Sequence, residues 1–366
     1  KDNNHKENCV KYKILSAVIT VGFLGASIIT STPTQALSTV TSGDPALVQA
    51  TKTALGKRYH NSVSVAHINL NTNTTKYAHF GASNTLEYEI GSVAKVFTGH
   101  LLAQAIERGE VTADQTVGSL LPALASKPVG TVKLSELATH RSGLPSIPSS
   151  LDWTRAYSQY TFYGKDPYIF DVPTLLTHAA NSYKAANRGK YVYSNMGDSV
   201  LGHALAAAAG TTYKQLLQDR MFTPLGMTST TYPETAANLA PGAPLGKSST
   251  GKTMAAWTMN AYAPSAGIRS NTADMASFAK QLLEGTVPGS DAMNPKIIVS
   301  TTSEQGWLWG IYKENGITYL NHLGQTGGFS AGIMLDTTNK KAVVILSNTS
   351  VAVDTELMAL IKNQNF

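Results

Sequence analysis

The chain has 366 residues, of which 42% are hydrophobic and 14% are charged. This composition supplies enough apolar surface for a large folded core and excludes an intrinsically disordered protein. The formal net charge of +6 is mild, and the sequence has no dense Lys/Arg cluster with interleaved aromatic residues, so it argues against nucleic acid as a partner.

Residues 1–36 have the composition of an export signal. Two lysines precede an apolar run at 14–29, and residues 34–36 (TQA) resemble a small-residue cleavage site. The apolar run is shorter than the roughly 20 residues that span a bilayer, which favours a cleaved signal over an uncleaved membrane anchor. We therefore expect residues 37–366 to form an exported domain that is extracellular, periplasmic or associated with a bacterial cell envelope.

The exported part would contain no thiol. The single cysteine of the chain is Cys9, which lies within the predicted signal. Removing residues 1–36 leaves 25 basic and 21 acidic residues, a net charge of +4. Disulfides, cysteine catalysis and cysteine-ligated metals are therefore all excluded for the exported domain.

The first elements of the predicted domain alternate between helix and strand. A helix begins at Asp44 and runs to about residue 59, with Pro45 in its first turn. The segments 63–70 and 75–80 alternate apolar and polar residues like a hairpin. A strand-like run at 86–90 then leads into an amphipathic helix, which Gly109 closes.

The middle of the chain predicts a mostly helical insertion at about 110–245. Short helices are expected at 133–138, 172–180, 196–209 and 213–221. The stretch 147–170, which is rich in proline and aromatic residues, is predicted as a long loop near the cleft that is expected between this insertion and the sheet. Its aromatic residues are at least as well explained by simple packing as by substrate contact.

Strand patterns return at 307–312, 317–320, 329–335 and 342–346, and a helix is expected at 353–363. The predicted fold class is therefore α/β in the α+β sense. An antiparallel sheet is flanked by helices and carries a mostly helical inserted subdomain. A cleft between two such parts is a common place for a small ligand.

The sequence around Ser92 and Lys95 is the strongest chemical signal. Ser92 falls in the first turn of the helix that follows the strand at 86–90, where unpaired backbone N–H groups and the helix dipole favour negative charge. Lys95 follows three residues later on the same face. A partly desolvated lysine loses its proton more readily than in water, so Lys95 could accept the serine proton.

Local context separates this pair from two other Ser-x-x-Lys patterns. Ser249 precedes Lys252 in a polar loop, and Ser277 precedes Lys280 in the middle of a helix that Asn271 or Thr272 caps. Only Ser92 has the strand-then-helix setting of a nucleophile.

Two later motifs could supply a base and an oxyanion site. Tyr193 and Asn195 flank Ser194 just before a helix, and His322 and Gly324 precede Gln325 at the start of a strand. Taken singly, each has an ordinary explanation. Asn195 could be a helix cap, Tyr193 an edge aromatic, His322 a loop residue and Lys95 a solvated helix residue.

Together with their flanking sequences, these motifs resemble those of the superfamily of serine β-lactamases and penicillin-binding proteins. The similarity runs from about residue 60 to 348 and is greatest to the class C branch and its D-alanyl-D-alanine carboxypeptidase relatives. The supporting segments are 136–145 (ELATHRSGLP), 222–227 (FTPLGM) and 264–270 (PSAGIRS).

The resemblance implies a role for each matching residue. Ser92 would be the acylated nucleophile, Lys95 its proton partner, and Tyr193 the general base that later activates water. Asn195 would bind the substrate amide. His322 and Gly324 lie in the motif where many members have lysine and glycine, and the backbone N–H groups of Ser92 and Gln325 would form the oxyanion hole. No cofactor is implied.

Two departures from the family pattern affect substrate recognition. His322 is mostly uncharged near neutral pH, whereas the lysine that it replaces is charged, and Leu323 removes a hydroxyl group. Together they would weaken binding of a substrate carboxylate by about 1.5–3 kcal/mol, unless another residue such as Lys313 compensates.

The leading functional hypothesis is an acyl-enzyme hydrolase acting as a D-alanyl-D-alanine carboxypeptidase or endopeptidase on peptidoglycan stem peptides. The alternatives are a class C-like β-lactamase acting on β-lactams, an esterase of the same family, and a non-catalytic wall-binding or penicillin-sensing protein. A metal hydrolase is disfavoured, because the nine histidines form no His-Glu-x-x-His or His-x-His pattern.

Overall fold

The computed structural model describes residues 37–365. The predicted signal or anchor at 1–36 lies outside the described residues. The strands are β1 Thr41–Gly43, β2 Val63–Asn69, β3 Thr74–Phe80, β4 Tyr88–Glu89, β5 Arg269–Ser270, β6 Ile297–Ile298, β7 Ser303–Gln305, β8 Gly310–Glu314, β9 Ile317–Gln325, β10 Ser330–Asp336 and β11 Lys341–Ser347.

The helices are α1 Pro45–Leu55, α2 Ala94–Glu107, α3 Val117–Leu120, α4 Leu134–Ala138, α5 Leu151–Tyr163, α6 Val172–Ser182, α7 Asn195–Ala208, α8 Tyr213–Leu217, α9 Ala263–Ala266, α10 Thr272–Glu284 and α11 Asp354–Ile361. None of these described helices is both long and apolar enough to cross a membrane. The predicted helical insertion at 110–245 carries α3 to α8.

Two distant parts of the chain build one antiparallel sheet of nine strands. Its order is β1-β3-β2-β11-β10-β9-β8-β7-β6. The predicted hairpin of β2 and β3 is confirmed, with Val63 opposite Phe80. The same strand β2 pairs on its other side with β11, so the beginning and the end of the domain meet in the middle of the sheet.

Apolar side chains on both faces of the sheet explain why helices cover it twice. In β11, Val343 and Ile345 point into a core with α1 and α11, whereas Val344 and Leu346 belong to the core on the opposite face. Successive side chains of a strand point to opposite faces, so a central strand that is apolar throughout needs cover on both. The predicted α+β class is confirmed.

Helix α2, which carries Lys95, differs from its prediction. Every residue from Ala94 to Ala105 is buried, so the prediction of an amphipathic helix is wrong. The physical reason is that α2 is central: it packs against α7 and α9 within the helical part of the domain. A helix surrounded in this way has no face in contact with solvent, so its polar and apolar residues do not separate onto two faces.

The prediction of a long loop at 147–170 is also wrong, because α5 occupies Leu151–Tyr163. Ser150 precedes the helix in an extended conformation, and Gly164 ends it at φ 72°, in the left-handed region. Trp153, Tyr157 and Tyr160 recur at steps of four and three, which places them on one helical face. These three aromatic residues are therefore on the packing face of a helix, whereas Phe162 and Tyr163 at its end are exposed.

Strand β9 is longer than its predicted extent of 317–320. It continues through His322 and Gly324 to Gln325, and it pairs with β10 along its whole length from Tyr319 onward. The polar residues at its end obscured this continuation in the sequence. The extension places the histidine motif on the sheet rather than in a loop.

Candidate active site

Ser92 lies at the junction between a strand and a helix, as predicted, although that helix is buried rather than amphipathic. The short strand β4 ends at Glu89, and a single 3₁₀ turn, Gly91–Val93, leads directly into α2. Ser92 is half-buried in that turn. The first N–H groups of a helix have no partner in the preceding turn, so we expect the Ser92 N–H to be available to a ligand.

The two competing serines lie elsewhere in the fold. Ser249 is in an irregular segment between α8 and α9, and Ser277 is on the exposed side of α10, whose N-cap is Asn271. The choice of Ser92 by its strand-then-helix setting is consistent with this placement.

The Lys95 ammonium connects three parts of the site. Its Nζ donates to Ser92 Oγ at 3.0 Å, to Asn195 Oδ1 at 2.8 Å and to the backbone oxygen of Ser265 at 2.8 Å. Lys95 is fully buried, so it is not the solvated helix residue of the alternative explanation. All three protons of an ammonium group are thereby used.

Burial changes the proton affinity of Lys95. Loss of hydration lowers the pKa of its amine from the ordinary value, while the nearby Asp198 carboxylate opposes this shift. Asp198 Oδ2 lies 3.5 Å from Nζ. A buried lysine with a lowered pKa is suited to accept a proton from a neighbouring hydroxyl group.

Asn195 is not the cap of α7. That role belongs to Ser194, whose Oγ accepts from the Gly197 N–H at 2.8 Å. Asn195 is the first residue of the helix itself, and its amide Nδ2 points to the Tyr168 hydroxyl group at 3.4 Å. Its side chain therefore forms hydrogen bonds with both Lys95 and Tyr168.

Tyr193 lies over the lysine. The Lys95 Nζ is 5.0 Å from the centroid of the Tyr193 ring, and the His140 ring is 4.6 Å away on another side. Burial and the Asp198 charge raise the pKa of Tyr193 well above its ordinary value, against the effect of a hydrogen bond with Ser92. Tyr193 therefore keeps its phenolic proton at neutral pH. It could accept a proton only if it passes its own phenolic proton to another group in the same step.

His322 faces the same space from β9. Its ring lies 6.5 Å from the Tyr193 ring, and its Nδ1 donates to the Leu323 backbone oxygen at 2.8 Å, which leaves Nε2 as an acceptor. Burial, with a contribution from Lys95, lowers the pKa of His322 to about 3. The ring is neutral near pH 7 and supplies no positive charge.

Lys313 does not compensate for the missing charge. It lies four residue positions along the β8–β9 ladder from His322, opposite Thr318, and it forms an ion pair with Glu304 at 2.8 Å. Lys313 was named only as an example of a residue that could compensate, and its position does not suit that role, because β8 runs away from the site.

The end of β9 lies against the turn that contains Ser92. A Cβ atom on Gly324 would meet the Ile90 carbonyl oxygen at 1.9 Å and the Ser92 nitrogen at 3.0 Å. A Cβ atom on Gly91 would meet the Gln325 nitrogen at 2.5 Å. The backbone N–H groups of Ser92 and Gln325 are thus brought together by glycines, as an oxyanion hole requires.

The sequence interpretation missed three groups of the site: Asp198, His140 and the Ser265 backbone oxygen. Asp198 is three residues after Asn195 on α7, so helical spacing could have placed it on the same face. His140 and Ser265 lie within the segments 136–145 and 264–270, which were used only to support the resemblance.

An aromatic wall of Tyr160, Tyr168 and Trp257 borders the site. The Trp257 ring centroid lies 5.4 Å from that of Tyr160 and 5.3 Å from that of Tyr168. Gly327, in the turn after Gln325, is close to Trp257 and Tyr160. Among residues 37–365, no group of three or more His, Cys, Asp or Glu side chains could hold a metal ion.

A sequence model of the Beta-lactamase family matches residues 56–363. The chain belongs to this family. Over 290 residues it is 26% identical to penicillin-binding protein 4 of Amycolatopsis lactamdurans, which covers 72% of this chain and 73% of that protein. Over 147 residues it is 31% identical to the D-alanyl-D-alanine-carboxypeptidase/endopeptidase AmpH of Escherichia coli (strain K12), 39% of this chain and 36% of that protein.

Solved structures agree with the family at the level of the fold. A class C beta-lactamase matches with a TM-score of 0.72 and 17% identity, covering 88% of this chain and 97% of that one. A beta-lactamase/D-alanine carboxypeptidase from Pseudomonas syringae matches with a TM-score of 0.70 and 16% identity, covering 86% and 97%. The predicted membership of the serine β-lactamase and penicillin-binding protein superfamily is confirmed.

Proposed function

We propose that this member of the beta-lactamase family is an exported acyl-enzyme hydrolase. Its substrates would be peptidoglycan stem peptides, on which it acts as a D-alanyl-D-alanine carboxypeptidase or endopeptidase. The observation that carries the proposal is the 3.0 Å hydrogen bond between Lys95 Nζ and Ser92 Oγ in a fully buried lysine.

Acylation would begin once Lys95 has lost the ammonium proton that it donates to Ser92, so that the neutral amine accepts the Ser92 hydroxyl proton. Ser92 Oγ then bonds to the carbonyl carbon of the penultimate D-alanine, and the carbonyl oxygen takes the negative charge between the N–H groups of Ser92 and Gln325. Breaking the C–N bond releases the terminal D-amino acid, whose amine receives a proton relayed through Tyr193. The acyl group remains on Ser92.

Deacylation would reverse the proton path. Water attacks the ester carbon, its proton passes to Tyr193, and the proton of Tyr193 moves towards the Ser92 oxygen as that oxygen leaves. The raised pKa of Tyr193 requires these transfers to be concerted, since a free phenolate is not available near neutral pH. Asn195 would bind the amide of the acyl chain through its Nδ2.

Relatives support the choice of substrate. The two curated relatives described above carry the names of a penicillin-binding protein and of a carboxypeptidase/endopeptidase. The predicted export signal at 1–36 would deliver the domain to peptidoglycan, and a β-lactam would enter the same site as an acyl donor.

An esterase is the second candidate, and His322 is the observation that favours it. A neutral, buried ring with its Nδ1 proton directed at the Leu323 oxygen offers no charge for the carboxylate of a peptide or a β-lactam. An ester without a carboxylate does not need that charge. A β-lactamase would differ from a carboxypeptidase mainly in hydrolysing its acyl-enzyme quickly.

The proposal is tested by giving purified residues 37–366 four substrates in parallel. These are a stem pentapeptide ending in D-Ala-D-Ala, a cross-linked muropeptide dimer, a chromogenic cephalosporin and p-nitrophenyl acetate. Release of D-alanine or cleavage of the cross-link, lost in Ser92→Ala, supports the proposal. Turnover of the ester alone would favour the esterase, and turnover of the cephalosporin alone the β-lactamase. No turnover of any substrate would favour a non-catalytic binding protein.

A further inference from the structure

Asp198 is a fully buried acid in α7 directly behind the site. Its side chain has no exposure to solvent, and neither of its oxygens has a hydrogen-bond donor among the described residues. An isolated carboxylate in such a place is strongly disfavoured, so it must either be neutralised by a proton or face a positive charge.

Lys95 is the group that provides this charge. Its Nζ lies 3.5 Å from Asp198 Oδ2, but the three ammonium protons already go to Ser92, Asn195 and Ser265. The contact is longer than these three hydrogen bonds, and it is chiefly an interaction of charges. Asp198 therefore affects how strongly Lys95 holds its proton.

His140 does not serve as a second cation. Its Nδ1 is 3.6 Å from Asp198 Oδ1, but that nitrogen accepts the Ser194 backbone N–H at 3.3 Å. It carries no proton to give to the acid. Burial, with the charge of Lys95, also lowers the pKa of His140 well below its ordinary value, so the ring is neutral.

The other titratable groups near the pair carry no positive charge. Tyr193 and Tyr191 precede α7, Tyr213 begins α8, and the Asp198 charge contributes to a raised pKa in all three phenols. His322 of β9 faces Lys95 and is neutral near pH 7. Among the described residues, the charge of Lys95 is thus balanced by Asp198 alone.

We propose that Asp198 is a positioning residue that acts through Lys95: its negative charge sets the protonation state of the lysine and strengthens it as the base for Ser92. This inference rests on the proposed function of the Ser92–Lys95 pair. When Lys95 takes the Ser92 proton, the new ammonium charge faces the carboxylate, and the buried pair becomes neutral. Burial raises the pKa of Asp198 and lowers that of Lys95, whereas their mutual attraction opposes both shifts.

The first test compares acylation by a fluorescent penicillin as a function of pH in the wild type and in Asp198→Asn. Without the carboxylate, the pKa of Lys95 falls. The pH range in which the rate rises as Lys95 loses its proton, the acidic limb of the profile, should therefore shift to lower pH by about 1–3 units. Because Lys95 is then the weaker base, the plateau rate should also fall, by roughly tenfold or more. A purely structural role would lower the rate at every pH by one factor and leave the limb in place, which would overturn the proposal.

Glu356→Gln is the matched control for the loss of a buried acid. Glu356 is also fully buried and pairs with Arg58, but it lies on α11 on the opposite face of the sheet from α2. In this variant the acidic limb of the acylation rate should lie at the same pH as in the wild type, even if the melting temperature falls.

The second test needs no catalytic activity and remains valid if Asp198→Asn does not fold. Lys95→Met leaves Asp198 without its counter-charge and should lower the unfolding midpoint. Adding Asp198→Asn to Lys95→Met should then raise the midpoint, since the unpaired acid is removed. A further decrease, or failure of the double variant to fold, would show that Asp198 supports the core independently of Lys95 and would overturn the proposal. If the wild type binds no penicillin, the proposed function fails, whereas this comparison still tests the pairing.

Discussion

Gly324 of β9 packs so closely against Ile90 that a Cβ atom at position 324 would lie 1.9 Å from the Ile90 carbonyl oxygen. This contact joins the end of the sheet to the turn that carries Ser92. Backbone atoms cannot yield as a flexible side chain can, so any larger residue at 324 must separate the two segments.

Gly324→Ala should therefore reduce acylation by at least two powers of ten, because it moves one N–H of the proposed oxyanion hole, and removal of one such donor costs about that much. The measurement is the rate of fluorescent-penicillin labelling. Gly310→Ala is the control in the same sheet, where the nearest contact of a Cβ would be the Asn321 oxygen at 3.2 Å. Equal rates in both variants would contradict the proposed role of β9.

Local patterning and the family resemblance together found four residues of the site, but not Asp198, His140 or Ser265. The change from strand to helix selected Ser92 and Lys95 over two identical short patterns, and Tyr193 and Asn195 were found by their position before α7. All four meet in the structure because α2 and α7 pack against each other, and that packing could be assigned only through the family resemblance.

Other features could not be read from sequence because they depend on what surrounds a residue. Asp198 in the apolar helix α7 looks like a surface residue until its burial is known. In α5, Trp153 and Tyr160 lie at helical spacing, but the prolines and aromatic residues around them are as typical of a loop. The end of β9 is polar, so only its pairing with β10 defines it as strand.

Tyr193→Phe should slow turnover by roughly two to four powers of ten, the usual contribution of general acid–base catalysis. This change removes the phenolic hydroxyl group, including the proton that is transferred and the hydrogen bond with Ser92, whereas the ring packing against His140 would remain. Turnover of a chromogenic substrate measures the effect. Tyr191→Phe removes a hydroxyl group that donates to Gln305 Oε1 at 3.4 Å and should leave turnover close to wild type. Unchanged turnover in Tyr193→Phe would remove this residue from the mechanism.

His322→Lys should restore a fixed positive charge beside the site. We expect acylation by penicillin, which has a carboxylate, to improve relative to hydrolysis of p-nitrophenyl acetate, which has none. A charged hydrogen bond of about 1.5–3 kcal/mol corresponds to roughly one to two powers of ten in that ratio. If the ratio does not change, the carboxylate does not bind near position 322.

Folding stability should fall as the pH drops below neutral. Burial lowers the pKa of His60 and of His100 to about 4, and that of His322 to about 3. The unfolded chain takes up these protons near pH 6.5, whereas the folded chain does not, so stability is present above pH 6.5 and is lost as the pH falls towards 4. Each group contributes about 1.4 kcal/mol per pH unit in this window.

Urea unfolding between pH 7 and pH 5 measures this loss. His60→Gln removes one of the titrating groups at a site far from Ser92, where Nδ1 of His60 is 3.0 Å from Ser347 Oγ. This variant should show a shallower pH dependence than the wild type, even if it is less stable at pH 7. A slope as steep as that of the wild type would mean that His60 is not neutral in the folded protein.

The central claim, that Ser92 forms an acyl-enzyme, is tested most directly by intact-mass analysis of residues 37–366 after incubation with a fluorescent penicillin. We predict one adduct per chain on Ser92, absent in Ser92→Ala and unchanged in Ser277→Ala, with slow decay for a carboxypeptidase and rapid decay for a β-lactamase. An adduct that persists in Ser92→Ala would contradict the account.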